Sequence, residues 1–189
     1  MATLVPENHP ALHTVAEEVT TEDFNSGLVK KILKNLRSAI KKYKVDGFTA
    51  VAIAAPQIGV SKRVFLIEDQ NNDADRLPTV IAINPRFTKI SKKTRVAGEG
   101  CLSIPDRYGL VRRSTNVTLE ALDEYGQKYT RGAGGLLAQI MQHELDHLDG
   151  ILFIDRAEKV WTKEELDAKR QEHPTLSWNL PFLVPQTWR

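Results

Sequence analysis

The sequence predicts an α+β fold with antiparallel β-sheets, and three observations carry that prediction. Two strongly patterned helical stretches lie far apart in the chain. Between them runs a series of short apolar strands punctuated by turn residues. The composition is that of one soluble globular domain: 189 residues, 41% hydrophobic and 26% charged, which excludes a disordered or collagen-like chain.

The first helical stretch is Thr21 to Tyr43. Leu28, Ile32, Leu36, Ala39, Ile40 and Tyr43 fall on one stripe, with Lys30, Lys31, Lys34, Arg37 and Lys41 mostly outside it. Thr21 followed by Glu22 and Asp23 suits the positive end of the helix dipole. The lysines read as a solvated face. Small apolar residues fill Val45 to Gly59. Strands are expected at Arg63 to Glu68, at Val80 to Ile83 (stopped by Asn84-Pro85), at Phe87 to Ile90 and at Thr94 to Ala97. Leu110 to Arg112, Val117 to Leu122 and Lys128 to Thr130 follow, the last after a turn at Glu124-Tyr125-Gly126. The second helix runs from about Gly135 to Leu148 and ends at Asp149-Gly150, a C-cap signal.

The tail differs in character. Thr162 to Glu172 reads as a short helix of mixed charge, capped by Thr162 with Glu165 three residues on. Beyond it lie Pro174, Pro181 and Pro185, and the tail holds Trp161, Trp178 and Trp188. The expected organisation is a catalytic domain over 1–155 and a C-terminal tail over 156–189, a short helix and then an extended segment packed on the domain or a partner.

The formal net charge of +2, with basic residues spread along the chain, gives no nucleic-acid footprint. No stretch approaches the roughly 18 apolar residues of a membrane span. The N-terminus shows neither secretory nor transit character. Cys101 is the single cysteine and forms no disulfide within the chain. A cytoplasmic location is the expectation.

The decisive stretch is Gln142-His143-Glu144-Leu145-Asp146-His147. Two histidines four apart on a helix sit one turn above each other and can share one metal ion, while Glu144 stays near a metal-bound water. Leu137, Ile140, Met141, Leu145 and Leu148 make this a buried helix, where two unpaired histidines would be costly. The sheets are therefore expected to pack around a central metal-binding helix. A catalytic site of this kind takes three protein ligands and keeps a position open for water. Glu158 or Glu164 downstream is one candidate third ligand. Cys101, in Glu99-Gly100-Cys101-Leu102-Ser103, is the better one, since a metal turns a thiol into a thiolate ligand. Two histidines and a thiolate suit zinc or iron(II).

Three segments together resemble the peptide deformylase family. They are Ala50-Val51-Ala52-Ile53-Ala54-Ala55-Pro56-Gln57, which matches a Gly-x-Gly-(apolar)-Ala-Ala-x-Gln pattern, then Glu99 to Ser103, then Gln142 to His147. The resemblance covers roughly residues 8 to 155 and implies removal of the formyl group from the N-terminal formyl-methionine of new polypeptides, with release of formate. It implies Cys101, His143 and His147 as ligands of one divalent metal ion per chain, natively iron(II), with zinc, nickel or cobalt as replacements. Such ions lower the pKa of bound water to about 7, and Glu144 would take its proton and pass it to the departing amine. Gln57, through its side-chain amide, and Leu102, through its backbone N–H, would hold the oxyanion. Read without the resemblance, Gln57 is equally a loop-capping amide.

Substrate contacts are expected from Val51, Ala52, Glu99, Gly100, Leu136, Gln139 and Ile140. The partners implied are formylated N-termini of nascent peptides, with a transient ribosome contact. Two departures stand out. Ala50 and Ala52 replace the motif glycines and either narrow the site or shift its backbone. Gln139 stands where an apolar residue is common, facing substrate or solvent, so the preference for methionine is expected to be weakened or altered. Two other readings stay open: a metal-binding but catalytically weak module of the same family, and a metalloprotease or other amidase.

Overall fold

The computed structural model describes residues 3–45, 48–70, 76–172 and 184–185. The expected first helix is two helices. α1 (Thr21–Asn25) is closed by a reciprocal cap between Thr20 and Asp23, and α2 (Leu28–Lys42) begins after Gly27. Gly27 has φ +78, a left-handed conformation that breaks the helix where apolar periodicity alone would run through it. After α2 come the two-residue strands β1 (Lys44–Val45) and β2 (Phe48–Thr49), then β3 (Ala52–Ala54) and a 3-10 turn over Ala55–Ile58.

β4 (Val64–Ile67), β5 (Val80–Ile90), β6 (Thr94–Cys101), β7 (Ile104–Ser114), β8 (Asn116–Leu122) and β9 (Lys128–Gly134) follow, then helix α3 (Gly135–Leu148). The sequence expects a stop at Asn84-Pro85. Instead β5 passes through it. Asn84 takes φ +49, which asparagine tolerates better than most residues, and the register slips between Ile83 and Arg86. The Asn84 side chain also exchanges two 2.8 Å hydrogen bonds with the Val19 backbone, so the kink is tied down.

All paired strands among the described residues are antiparallel, in three sheets. The largest has the order β3-β4-β5-β8-β9. α2 covers one face through Ile32, Leu36 and Ile40 against Val64, Leu66 and Ile83. α3 covers the other through Ala138, Ile140 and Met141 against Phe65, Ile67 and Leu119. Burial on both faces explains why β4 shows no polar alternation. α3 also contacts β7 of the second sheet.

Beyond α3 come α4 (Phe153–Arg156), β10 (Ala157–Thr162), α5 (Lys163–Glu172) and β11 (Val184–Pro185). The expected cap of α5 is present, with Thr162 and Glu165 bonded in both directions. β10 completes the second sheet, β10-β7-β6, and crosses β7 so closely at Gly109 that a side chain there would meet Lys159 O at 3.0 Å. Trp161 buries itself against Tyr108 and Leu166. His173, Pro174, Trp178, Pro181 and Trp188 lie outside the described residues. No described helix is long and apolar enough to cross a membrane.

Candidate metal centre

Helix α3 sets His143 and His147 one turn apart, with ring centroids 4.9 Å from each other. Cys101 is the last residue of β6, paired with Ile104 across the two-residue turn Leu102–Ser103. Hydrogen bonds from α3 bring these distant segments together. Gln142 donates to Ser114 O at 2.9 Å and accepts from Ser114 N at 3.0 Å, satisfying β7 as a neighbouring strand would. Gln139 donates to Gly98 O at 3.0 Å, which fixes β6 beside the helix. Cys101 Sγ then stands 3.2 Å from His147 Nε2, and ligand atoms of Cys101, His143 and His147 lie within 4.8 Å of one another.

These donors fit a divalent cation. Glu99 is fully buried, and both its oxygens are engaged by Arg113, at 2.7 and 2.9 Å. Burial alone would raise its carboxyl, but the Arg113 fork and His143 hold it down to about 2, so it is a carboxylate and accepts only. His143 Nδ1 therefore donates to Glu99 Oε2 at 2.9 Å. Burial disfavours a charged His143, yet its hydrogen bonds to Cys101 and Glu99 lift it to about 10. The surroundings thus favour positive charge between Cys101 and Glu99. His147 is pushed well below 6.5 by burial, which leaves a neutral imidazole suited to ligation. Its Nδ1 has no hydrogen-bond partner among the described residues.

Two further groups converge on the same place. Glu144 is 2% exposed, and its Oε2 has no hydrogen-bond partner among the described residues. Burial raises its carboxyl to about 7. Gln57 fills both roles weighed from the sequence. Its Oε1 accepts from Ala54 N at 2.8 Å and caps the 3-10 turn, which aims its Nε2 at Cys101 Sγ (3.4 Å) and Ser103 Oγ (3.3 Å).

A cavity of about 20 Å³ lies among Gln57, Cys101, Leu102, His143 and Glu144, with Ala50, Ala52 and Gly100 completing its wall. That is room for about one water molecule. Neither Ala50 nor Ala52 has positive φ, so the replacement of glycine leaves the backbone unstrained and its consequence is steric.

The expected substrate residues divide. Ala52 and Gly100 line the cavity; Val51, Glu99, Leu136, Gln139 and Ile140 do not. Val51, Leu136 and Ile140 belong to the apolar cluster under α3. Glu99 is spent on Arg113 and His143. Gln139, 1% exposed, does not face solvent: it accepts from Arg95 at 3.0 Å while donating to Gly98 O. Its amide is committed to holding β6.

The sequence reading missed Arg113, which also donates to Asp146 at 2.5 Å, and Arg156, 2.8 Å from the same carboxylate. One signal was available. Strand alternation puts Arg113 on the same face as buried Val111, an inward charge that demands partners.

Comparison with known proteins follows the same lines. The family model described as polypeptide deformylase matches residues 1–163. A peptide deformylase of Natranaerobius thermophilus is 40% identical over 156 residues, 82% of this chain and 92% of its own length. One from Thermomicrobium roseum is 35% identical over 173 residues, 90% and 93% of the two chains. The crystal structure of peptide deformylase from Thermotoga maritima superposes with a TM-score of 0.71 at 33% identity, over 84% of this chain and 99% of that one.

Proposed function

Since this chain belongs to the polypeptide deformylase family, hydrolases that release the formyl group from N-terminal formyl-methionine of nascent polypeptides, we propose how its own residues carry that reaction. Cys101, His143 and His147 hold one divalent ion, iron(II) in the native state, with zinc, nickel or cobalt able to replace it. The ion supplies Lewis acidity and makes water nucleophilic near neutral pH. Glu144 takes the proton of the attacking water and delivers it to the departing amine, and its burial favours holding that proton between the two transfers. The Gln57 amide and the Leu102 N–H stabilise the oxyanion of the tetrahedral intermediate.

The observation that carries this assignment is the convergence of Glu144 and Gln57 on the cavity bordered by Cys101 and His143. Ala52 and Gly100 line the path of the substrate, while Val51, Leu136 and Ile140 back it from the core. Glu99 and Gln139 act one layer out, Glu99 by orienting His143 and Gln139 by fixing β6. We place the reaction in an α+β domain over 1–155 built around α3, whose second sheet is completed by β10 from the 156–189 tail, in the cytoplasm and in transient contact with the ribosome.

A catalytically weak, metal-binding reading draws support from one feature, the tightness of a cavity narrowed by Ala50 and Ala52. Anaerobic purification, metal analysis and formate release from a formyl-Met peptide separate the two. Rapid release that disappears in Glu144→Ala, with about one metal per chain in both proteins, supports deformylation. Metal without formate release from the native chain refutes it.

A further inference from the structure

Helix α2 carries Lys30, Lys34, Arg37 and Lys41 at spacings of four, three and four residues, which places them in one straight row. At 1.5 Å per residue the row is about 16 Å long. The sequence reads this face as solvated, but the structure gives it an opposite wall. The β8–β9 turn brings Glu124 and Tyr125 across from it, and together they enclose a groove of about 680 Å³. Tyr125 is 74% exposed. Glu124 and Tyr125 also line an adjoining hollow of about 210 Å³ with Tyr129 and Arg131. Arg37 pairs with Glu68 at 2.9 Å, while Lys30, Lys34 and Lys41 have no ion-pair partner among the described residues.

We infer that this groove binds a single-stranded RNA segment, its phosphates along the lysine row and a base stacked on Tyr125. Like charges one helical turn apart repel, and a polyanion lying along the row removes that cost. Solvation accounts for the lysines, and Glu124 offsets part of their charge from the facing wall, but neither gives the bare aromatic ring a role. A cationic groove with an exposed aromatic is the arrangement that takes single-stranded nucleic acid, because every base offers a face for stacking. An acidic peptide would engage the lysines alone. The commitment to RNA rests on the ribosome contact proposed above.

The test is fluorescence anisotropy of the metal-loaded full chain with a labelled 12-nucleotide unstructured RNA, across a salt series, beside a polyglutamate peptide of equal charge. The expected result is RNA binding that the triple variant Lys30→Gln/Lys34→Gln/Lys41→Gln weakens about tenfold or more. Each single-strand phosphate contact contributes about 0.7 to the salt slope, so the slope should fall by about 2. Tyr125→Ala should weaken RNA binding by about fivefold to a hundredfold with the slope unchanged. Both variants should hydrolyse a short formyl-Met peptide at the native rate, which verifies folding and keeps this outcome separate from the deformylase assay. RNA affinity untouched by either set of substitutions overturns the inference. So does polyglutamate binding as tightly as RNA with no effect of Tyr125→Ala, which would mark a docking site for acidic protein.

Discussion

His143 donates from Nδ1 to Glu99 Oε2 at 2.9 Å, and Arg113 grips both oxygens of the same carboxylate. The bond selects the tautomer and leaves Nε2 as the nitrogen available to a cation. Glu99→Gln keeps the shape but loses the charge. We expect metal affinity to fall about 10- to 100-fold, as is usual when the partner of a metal-bound histidine is removed. Competition with a chelating dye measures it, and affinity equal to that of the native chain would exclude an orienting role for Glu99.

The same carboxyl makes stability depend on acid. It is held at about 2 in the folded chain against 4.5 when unfolded, so its contribution is present above about pH 4.5 and is lost as pH falls toward 2. The amount is about 3 kcal/mol. Urea unfolding of the native chain should therefore weaken over that window. Arg113→Met, which strands Glu99 as an uncompensated buried charge, should cost about 3 to 5 kcal/mol at pH 7.

Glu144 has the opposite sign. Its carboxyl rises from 4.5 to about 7 on folding because it is buried, so folding favours the protonated form and the benefit is lost as pH climbs through 7. In chelator-stripped protein, Glu144→Gln should unfold at a higher temperature than the native chain at pH 8, and the gap should close toward pH 4.5. The metal-loaded variant should lose about 100- to 10,000-fold in kcat. A stripped variant whose advantage over the native chain is no larger at pH 8 than at pH 4.5 would show that the buried carboxyl carries no ionisation cost.

Gln57→Leu removes the amide donor directed at Cys101 and Ser103 and also the cap on Ala54 N. The expected loss is on the order of 100-fold in kcat with little change in KM, because the bond to the oxyanion exists only in the transition state. A change confined to KM would reassign Gln57 to ground-state binding.

Ala50 and Ala52 border a cavity of about 20 Å³. The double change Ala50→Gly/Ala52→Gly should open it and raise kcat/KM on formyl-Met peptides. With Gln139 turned to Arg95 and Gly98, the expected weakening of the methionine preference loses its basis. A double variant no faster than the native chain would mean that the methyl groups do not restrict the site.

The sequence by itself named the residues that meet at the site. Histidines one helical turn apart, a glutamate between them, a lone cysteine after glycine and a glutamine closing Ala54-Ala55-Pro56-Gln57 are local patterns, readable because helix periodicity and ligand chemistry act over a few residues. It also determined α3, its stop at Gly150, the cap of α5 and most strand cores. Only the tertiary structure decided where α2 begins, because Gly27 is a break only once its φ is set, and why β5 survives Asn84, whose partner Val19 is 65 residues away. It decided that Glu99 and Gln139 turn away from the cavity, since each answers an arginine brought alongside by strand pairing: Arg113 faces Arg95 across the β6–β7 ladder. It decided, too, that the lysines of α2 face a tyrosine. Charges and hydrogen bonds are settled by what lies nearby in space, and no local pattern encodes a neighbour supplied by another strand.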